Sequence, residues 1–278
     1  MSTPARRSPT ALLSGFASRF TLSLSPWSVT LFLIALIVAL PILVVLAHIV
    51  MPTEGVWQHL ASTVLPRYLS NTFWLVLWVG LGTLVIGTGT AWLVVMCRFP
   101  GKRLFEWALL LPLAVPTYVI AYAYTDFLQV AGPLQSLLRE WFDWQVGDYY
   151  FPNVRSLGGA ATLITFVLYP YVYLLARATF LEQSVCVLDV GRTLGRGPWR
   201  LFASVALPLA RPALVGGVSL VLMETLNEFG AVQFFGVDTF TTGIYRTWFG
   251  LGEPIAAAQL AACLLTFVIA FVLLERWS

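Results

Sequence analysis

The sequence predicts an all-α polytopic membrane protein with six spans, and three observations predict it. Only 10% of the 278 residues are charged and 59% are hydrophobic, whereas soluble domains carry about 25% charged residues. Six windows hold the roughly 20 apolar residues that a bilayer core requires: 28–50, 72–96, 105–128, 158–177, 211–234 and 254–274. The basic residues fall unevenly between the connecting loops, as a fixed membrane orientation demands.

Residues 1–26 form a Ser/Thr/Arg-rich tail with Arg6, Arg7 and Arg19, and residues 27–278 form the six-helix domain. A cleaved signal peptide is the rival reading of the first window. That window starts late, is long for a signal core and contains Pro41, so it is read as a retained span. The remaining windows tolerate their glycines and prolines because neighbouring helices can satisfy freed backbone groups. The third and fifth windows are the least uniform.

With the N-terminus inside, the inner side collects Arg6, Arg7, Arg19, Arg98, Lys102, Arg103, Arg177, Arg192, Arg196, Arg200, Arg211 and Arg276. The outer side holds Arg67, Arg139, Arg155 and Arg246. This partition expects both termini in the cytoplasm. Trp57, Trp74, Trp141, Trp144, Trp248 and Trp277 fall near expected interfaces, where amphipathic rings settle. The outer loop 129–157 is mixed polar and aromatic and is expected to fold partly onto the membrane surface.

Cys97, Cys186 and Cys263 are widely spaced without metal-ligand geometry, and read as small apolar residues. His48 and His59, near the outer end of the first span, read as surface or interfacial groups. No cofactor, stable metal site or nucleic-acid partner is expected. The lack of paired intramembrane His or Cys argues against a membrane redox protein.

The inner loop between the fourth and fifth windows is long and basic, and long loops in compact proteins usually have a task. Leu181–Leu194 can form a short amphipathic helix with Val185, Leu188 and Leu194 on its apolar side. Gly195-Arg196-Gly197-Pro198 must break it, and a second short helix from Trp199 to Ala206 is expected to run to Pro208. Such a helix–turn–helix suits docking of a soluble partner; a merely solvated basic loop is the alternative.

Within 182–210, Asp189-Val190-Gly191, Gly195, Val205 and Leu207-Pro208 fall at the spacing of the EAA loop, so this segment resembles that of ATP-binding-cassette (ABC) importer permeases. The family pattern is Glu-Ala-Ala, three residues, Gly, nine residues, Ile, one residue, Leu-Pro. Here Asp189 replaces Glu, and Val190 and Gly191 replace the alanines. Leu111–Tyr118, Tyr169–Tyr173, Glu224–Gly230 and Gly236–Arg246 are similar to the ferric-iron permease branch. Thiamine and other small-solute permeases are relatives.

The resemblance implies a type I importer permease core in a bacterial inner membrane. It implies two copies of a cytoplasmic ATPase docked on the EAA-like loop, and a periplasmic binding protein delivering substrate to loops 129–157 and 235–253. Iron-branch permeases commonly fuse two halves, and one EAA-like loop here leaves three arrangements open: a homodimer, a paired second subunit, or one half of a longer chain. A P-loop needs Gly, four residues, then Gly-Lys-Ser/Thr. The single lysine lies in Gly101-Lys102-Arg103, so ATP hydrolysis is expected on a separate chain and this one is not an enzyme.

An ionisable side chain at mid-bilayer costs roughly 2.5–3.5 kcal/mol, so it needs a reason. Glu224, Asn227 and Glu228 lie at i, i+3 and i+4 of the fifth window, hence on one helix face, with Ala213 and Gly217 continuing it and permitting close helix contact. Tyr118, Tyr122 and Asp126 are spaced by four in the third window, and their hard oxygens suit a hard cation. Both stripes are candidate parts of a translocation path; buried packing for the first and an interfacial belt for the second are the plainer readings. Tyr169 and Tyr173 read as packing residues. Because a path must release what it binds, none of these is expected to be a stable metal site. A proton-driven transporter using Glu224 and Glu228 as a relay is the alternative from another class.

Overall fold

The structure, a computed structural model, describes residues 25–52, 55–183, 195 and 197–277. All regular elements among them are helical. The chain divides into two units at His48/Ile49. The first holds α1, Pro26–Ala47, capped by Ser25, whose Oγ accepts the amide of Ser28 at 3.2 Å. No residue of α1 is buried, and Pro41 sits inside it. An apolar helix of this kind is made for contact with lipid.

The second unit contains α2 (Val56–Thr63), α3 (Leu65–Met96), α4 (Lys102–Ala108), α5 (Thr117–Leu128), α6 (Pro133–Phe142) and α7 (Leu157–Glu182). It continues with α8 (Leu207–Asn227), α9 (Gly230–Phe234), α10 (Phe240–Tyr245) and α11 (Pro254–Trp277). Its centre is the trio α3, α7 and α8. Lipid tails are as apolar as leucine, so helices in a membrane associate through close packing, and small residues permit it. Val172 of α7 is fully buried between two such residues. A Cβ on Gly87 of α3 would lie 2.7 Å from the Val172 Cβ, and one on Gly217 of α8 would lie 3.1 Å from the Val172 Cα. A second apolar cluster joins α2, α3, α8, α10 and α11 through Leu60, Tyr68, Leu226, Phe240 and Leu260.

Among the described residues, four helices are long and apolar enough to cross a membrane: Pro26–Val50, Leu65–Met96, Leu157–Glu182 and Trp199–Asn227. A fifth crossing arises if the bent pair Lys102–Ala114 and Thr117–Phe142 is one span; Pro254–Ala270 is a shorter apolar helix. The window 105–128 is therefore not one straight helix. It turns by 100° where Pro116 removes an amide donor and drives Val115 out of helical geometry, to φ −119° and ψ 130°.

The window 211–234 also departs from a single helix. The helix begins earlier, at Pro198, and ends at Asn227; Glu228 is extended and α9 is a separate turn. No short helix stops at Pro208. A π-turn over Phe202–Ala206 leads directly into α8, with the Leu207 amide bonded to the Phe202 carbonyl. The wider turn carries the helix into Pro208, which has no amide of its own to offer Ser204. The expected helix Leu181–Leu194 falls mostly outside the described residues, as do Cys186, Asp189 and Gly191. Cys97 and Cys263 are free thiols.

Candidate functional site

The break after α8 is the best-defined polar feature of the expected translocation face. Glu228 does not continue the stripe of Glu224 and Asn227, because the helix has ended. Its carboxylate turns to accept the amide of Ala231 at 2.8 Å, capping α9, while the hydroxyl of Thr241 donates to its carbonyl at 2.8 Å. Gly230 makes the break compact: a Cβ there would stand 2.9 Å from the Tyr118 Cβ. The two expected stripes meet at this point, since Tyr122 also packs edge-on to Phe234 of α9 at 6.0 Å.

Glu224, Asn227, Tyr118, Tyr122 and Asp126 are all exposed in this chain. Asp126 accepts the side-chain amide of Gln129 at 2.9 Å. Gly217, two turns before Glu224, makes the close contact with α7 described above. A carboxylate on a membrane helix is too costly to present to lipid, so the Glu224 face requires water or protein beside it. Among the described residues, no group of three or more His, Cys, Asp or Glu side chains is placed to hold a metal ion.

At the other end of α8, the described part of the EAA-like segment is Gly195, Val205, Leu207 and Pro208. Gly195 adopts φ +74°, a conformation that side chains other than glycine strain to reach. Leu207 and Pro208 line a crevice with Phe202, Leu84, Val85 and Arg211. Trp92 of α3 is held between Phe180 of α7, at 5.6 Å, and Phe202 of the π-turn, at 4.9 Å. Gln183, just past α7, donates to the Ala206 carbonyl at 3.0 Å and so ties the two arms of the loop together. Trp92, Phe202 and Gln183 were not legible as site residues, because their meeting depends on helix packing across about 90 residues of chain; the one local hint is Phe202 lying just before Leu207-Pro208.

Two further polar clusters fix the bundle. Tyr169 and Tyr173 donate to the carbonyls of Leu109 (2.8 Å) and Glu106 (3.3 Å), and Arg177 pairs with Glu106 at 3.6 Å, so α7 clasps the bent α4 segment. On the opposite end, Asp238 receives Arg67 at 3.4 Å and also Arg246, and Asn71 donates to its carbonyl at 2.9 Å.

Comparison with known proteins places this architecture. The family described as "Binding-protein-dependent transport system inner membrane component" matches residues 84–277. The chain is 30% identical over 203 residues to the molybdenum transport system permease protein ModB of Escherichia coli K12, covering 70% of this chain and 85% of that protein. It is 27% identical over 245 residues to the Fe(3+)-transport system permease protein FbpB 2 of Haemophilus influenzae, covering 86% of this chain and 44% of that protein. A bacterial alginate ABC transporter, solved with its alginate-bound periplasmic protein, has the same fold, with a TM-score of 0.70 at 13% identity over 96% of this chain and 91% of that one. The chain belongs to the binding-protein-dependent inner-membrane component family, and is a multi-pass inner-membrane permease subunit of an ABC importer.

Proposed function

We propose that this permease carries ferric iron, delivered by a soluble binding protein on the outer side and driven by two ATPase subunits docked at 182–210. The observation that carries the substrate is extent: the alignment with the Fe(3+) permease takes in 86% of this chain, against 70% for the molybdenum permease. The same alignment spans 44% of the iron permease, as expected of one half of a two-half path. A second half, whether another copy, another subunit or further chain, supplies the other wall.

In this reading both termini are cytoplasmic, and ATP rather than a proton gradient is the energy source. Asp189, Gly191, Gly195, Val205, Leu207 and Pro208 form the ATPase-docking segment. Glu224, Asn227 and the Tyr118/Tyr122/Asp126 row border the path, while Glu228 shapes it by holding the break open. Oxygen ligands on an exposed face suit a hard cation in transit, and their scatter suits its release.

The molybdenum relative, at higher identity, favours a second reading in which the cargo is a tetrahedral oxyanion. Proteoliposomes holding the permease, its second half and its ATPase, supplied with the cognate binding protein, decide between them. Uptake of radiolabelled ferric iron that needs ATP is expected. Uptake of molybdate in preference to iron overturns the cation assignment.

A further inference from the structure

The side of α8 that faces away from Glu224 carries an open groove. Leu214, Val215 and Val218 of α8, with Leu84 and Val85 of α3, line a space of about 830 Å³. Leu214 is 6% exposed and Val85 is 70% exposed, so the groove has a closed floor and an open side. Gly89 keeps the α3 wall low, since a Cβ there would meet nothing within 4 Å. Among the described residues, three polar side chains line the groove. Two of them, Thr88 and Ser219, are buried; the third, Arg211, is exposed.

Both walls belong to helices long and apolar enough to cross a membrane, Leu65–Met96 and Trp199–Asn227. From Arg211 to Ser219 the groove follows α8 for about 12 Å, at a rise of about 1.5 Å per residue. Arg211 stands at the end nearest Pro208, on the side that the charge partition of the loops assigns to the cytoplasm. It has no acidic partner among the described residues. A cation on a membrane helix is costly without a partner, and a guanidinium can hold a phosphate through two parallel N–H bonds.

The position of the groove selects its occupant. Val215 and Glu224 are separated by about two and a half helical turns, so they point to opposite sides of α8. The Glu224 side is the one that needs water or protein beside it, which leaves the groove to lipid. Cytoplasmic leaflets carry anionic lipids, and basic pockets between helices on that side suit their headgroups. We propose that the groove holds an anionic phospholipid of the inner leaflet, with its phosphate on Arg211 and one acyl chain between α3 and α8. The phosphate neutralises the one charge of the groove, and the chain covers its apolar walls. The choice of leaflet rests on the loop charges, and the choice of lipid over a second permease half rests on Glu224 bordering the path. The identity of the cargo enters neither.

The test uses the permease with its second half and its ATPase, in nanodiscs of equal phosphatidylglycerol and phosphatidylcholine, released gently and weighed by native mass spectrometry. The wild type is expected to retain phosphatidylglycerol in preference to phosphatidylcholine. R211Q should lower that preference about fivefold, the worth of one basic side chain near an anionic surface, and R211K should keep it. G89L puts a side chain into the open space and should lower retention of both lipids while assembly stays unchanged. A photoreactive benzoylphenylalanine in place of Val85, in the same nanodiscs, should form adducts with phospholipid. Adducts with polypeptide in place of lipid, or a lipid preference indifferent to R211Q, overturn the proposal. Neither readout depends on transport, so failure of the path assignment, which uptake by E224A reports, is distinguishable from failure of this site.

Discussion

The Glu228 carboxylate accepts the Ala231 amide at 2.8 Å, so one of the two acids of the fifth span is a structural cap and the other, Glu224, is not. The two therefore part under substitution. E228Q keeps an acceptor oxygen and should leave thermal stability nearly unchanged, whereas E228A removes the cap and should cost about 1 kcal/mol, within the range for lost caps. Thermal unfolding in detergent measures both.

Glu224 is exposed and has no capping duty. On the proposed path, E224A should lower iron uptake in proteoliposomes about tenfold, the effect of losing roughly 1.4 kcal/mol of interaction along the path. Its unfolding temperature should not move. Wild-type uptake by E224A would remove this residue from the path.

Gly87 has backbone and side-chain atoms of α7 within 3 Å of where a Cβ would sit, namely the Val172 Cβ, the Tyr169 carbonyl and the Tyr173 amide. G87A should destabilise the bundle by about 1–3 kcal/mol, as overpacking does. Gly89, two residues on, has open space at the same position. G89A should be neutral or slightly stabilising, since glycine in a helix is worse than alanine by about 0.5–1 kcal/mol. A thermal-shift comparison of the two variants separates packing from propensity.

Gly195 holds φ +74°, and among the described residues nothing lies near its missing side chain. G195A should therefore strain only the loop backbone, at about 1–3 kcal/mol. Co-purification of the ATPase should weaken, and uptake should fall with it, while unfolding of the membrane bundle stays as in the wild type.

Asp238 is 17% exposed between Arg67 and Arg246, which are 71% and 48% exposed. Pairs this open to water are screened, so D238N should cost no more than about 1 kcal/mol, and less in high salt. Unfolding temperatures at low and high ionic strength give that comparison.

Much of this architecture is legible in the sequence, and what is not has physical reasons. The second and fourth windows fall within α3 and α7 because a long apolar run in lipid has little choice but to be helical. The third and fifth windows misled because hydropathy registers apolarity and is blind to direction. Pro116 lets the chain bend, but the turn of 100° is held by α7 clasping α4 through Tyr169, Tyr173 and Arg177. The stripe of Glu224 and Glu228 presumed that helix geometry continues. Gly230 and its contact with Tyr118, more than a hundred residues away, end it. The spacing of Gly195, Val205 and Leu207-Pro208 pointed to the loop, but only folding brings Trp92 and Gln183 to it.

Val172, held between Gly87 and Gly217, has a mechanical meaning. Three helices that meet at backbone distance through one side chain cannot slide past one another without collision, so they move as a single lever. On the proposed docking of an ATPase at the loop, a stroke delivered there is expected to be absorbed at the joints, which are the π-turn at Phe202–Ala206, the corner at Val115 and the gap at Glu228. The parts of the chain that look like defects in its helices are where it is free to work.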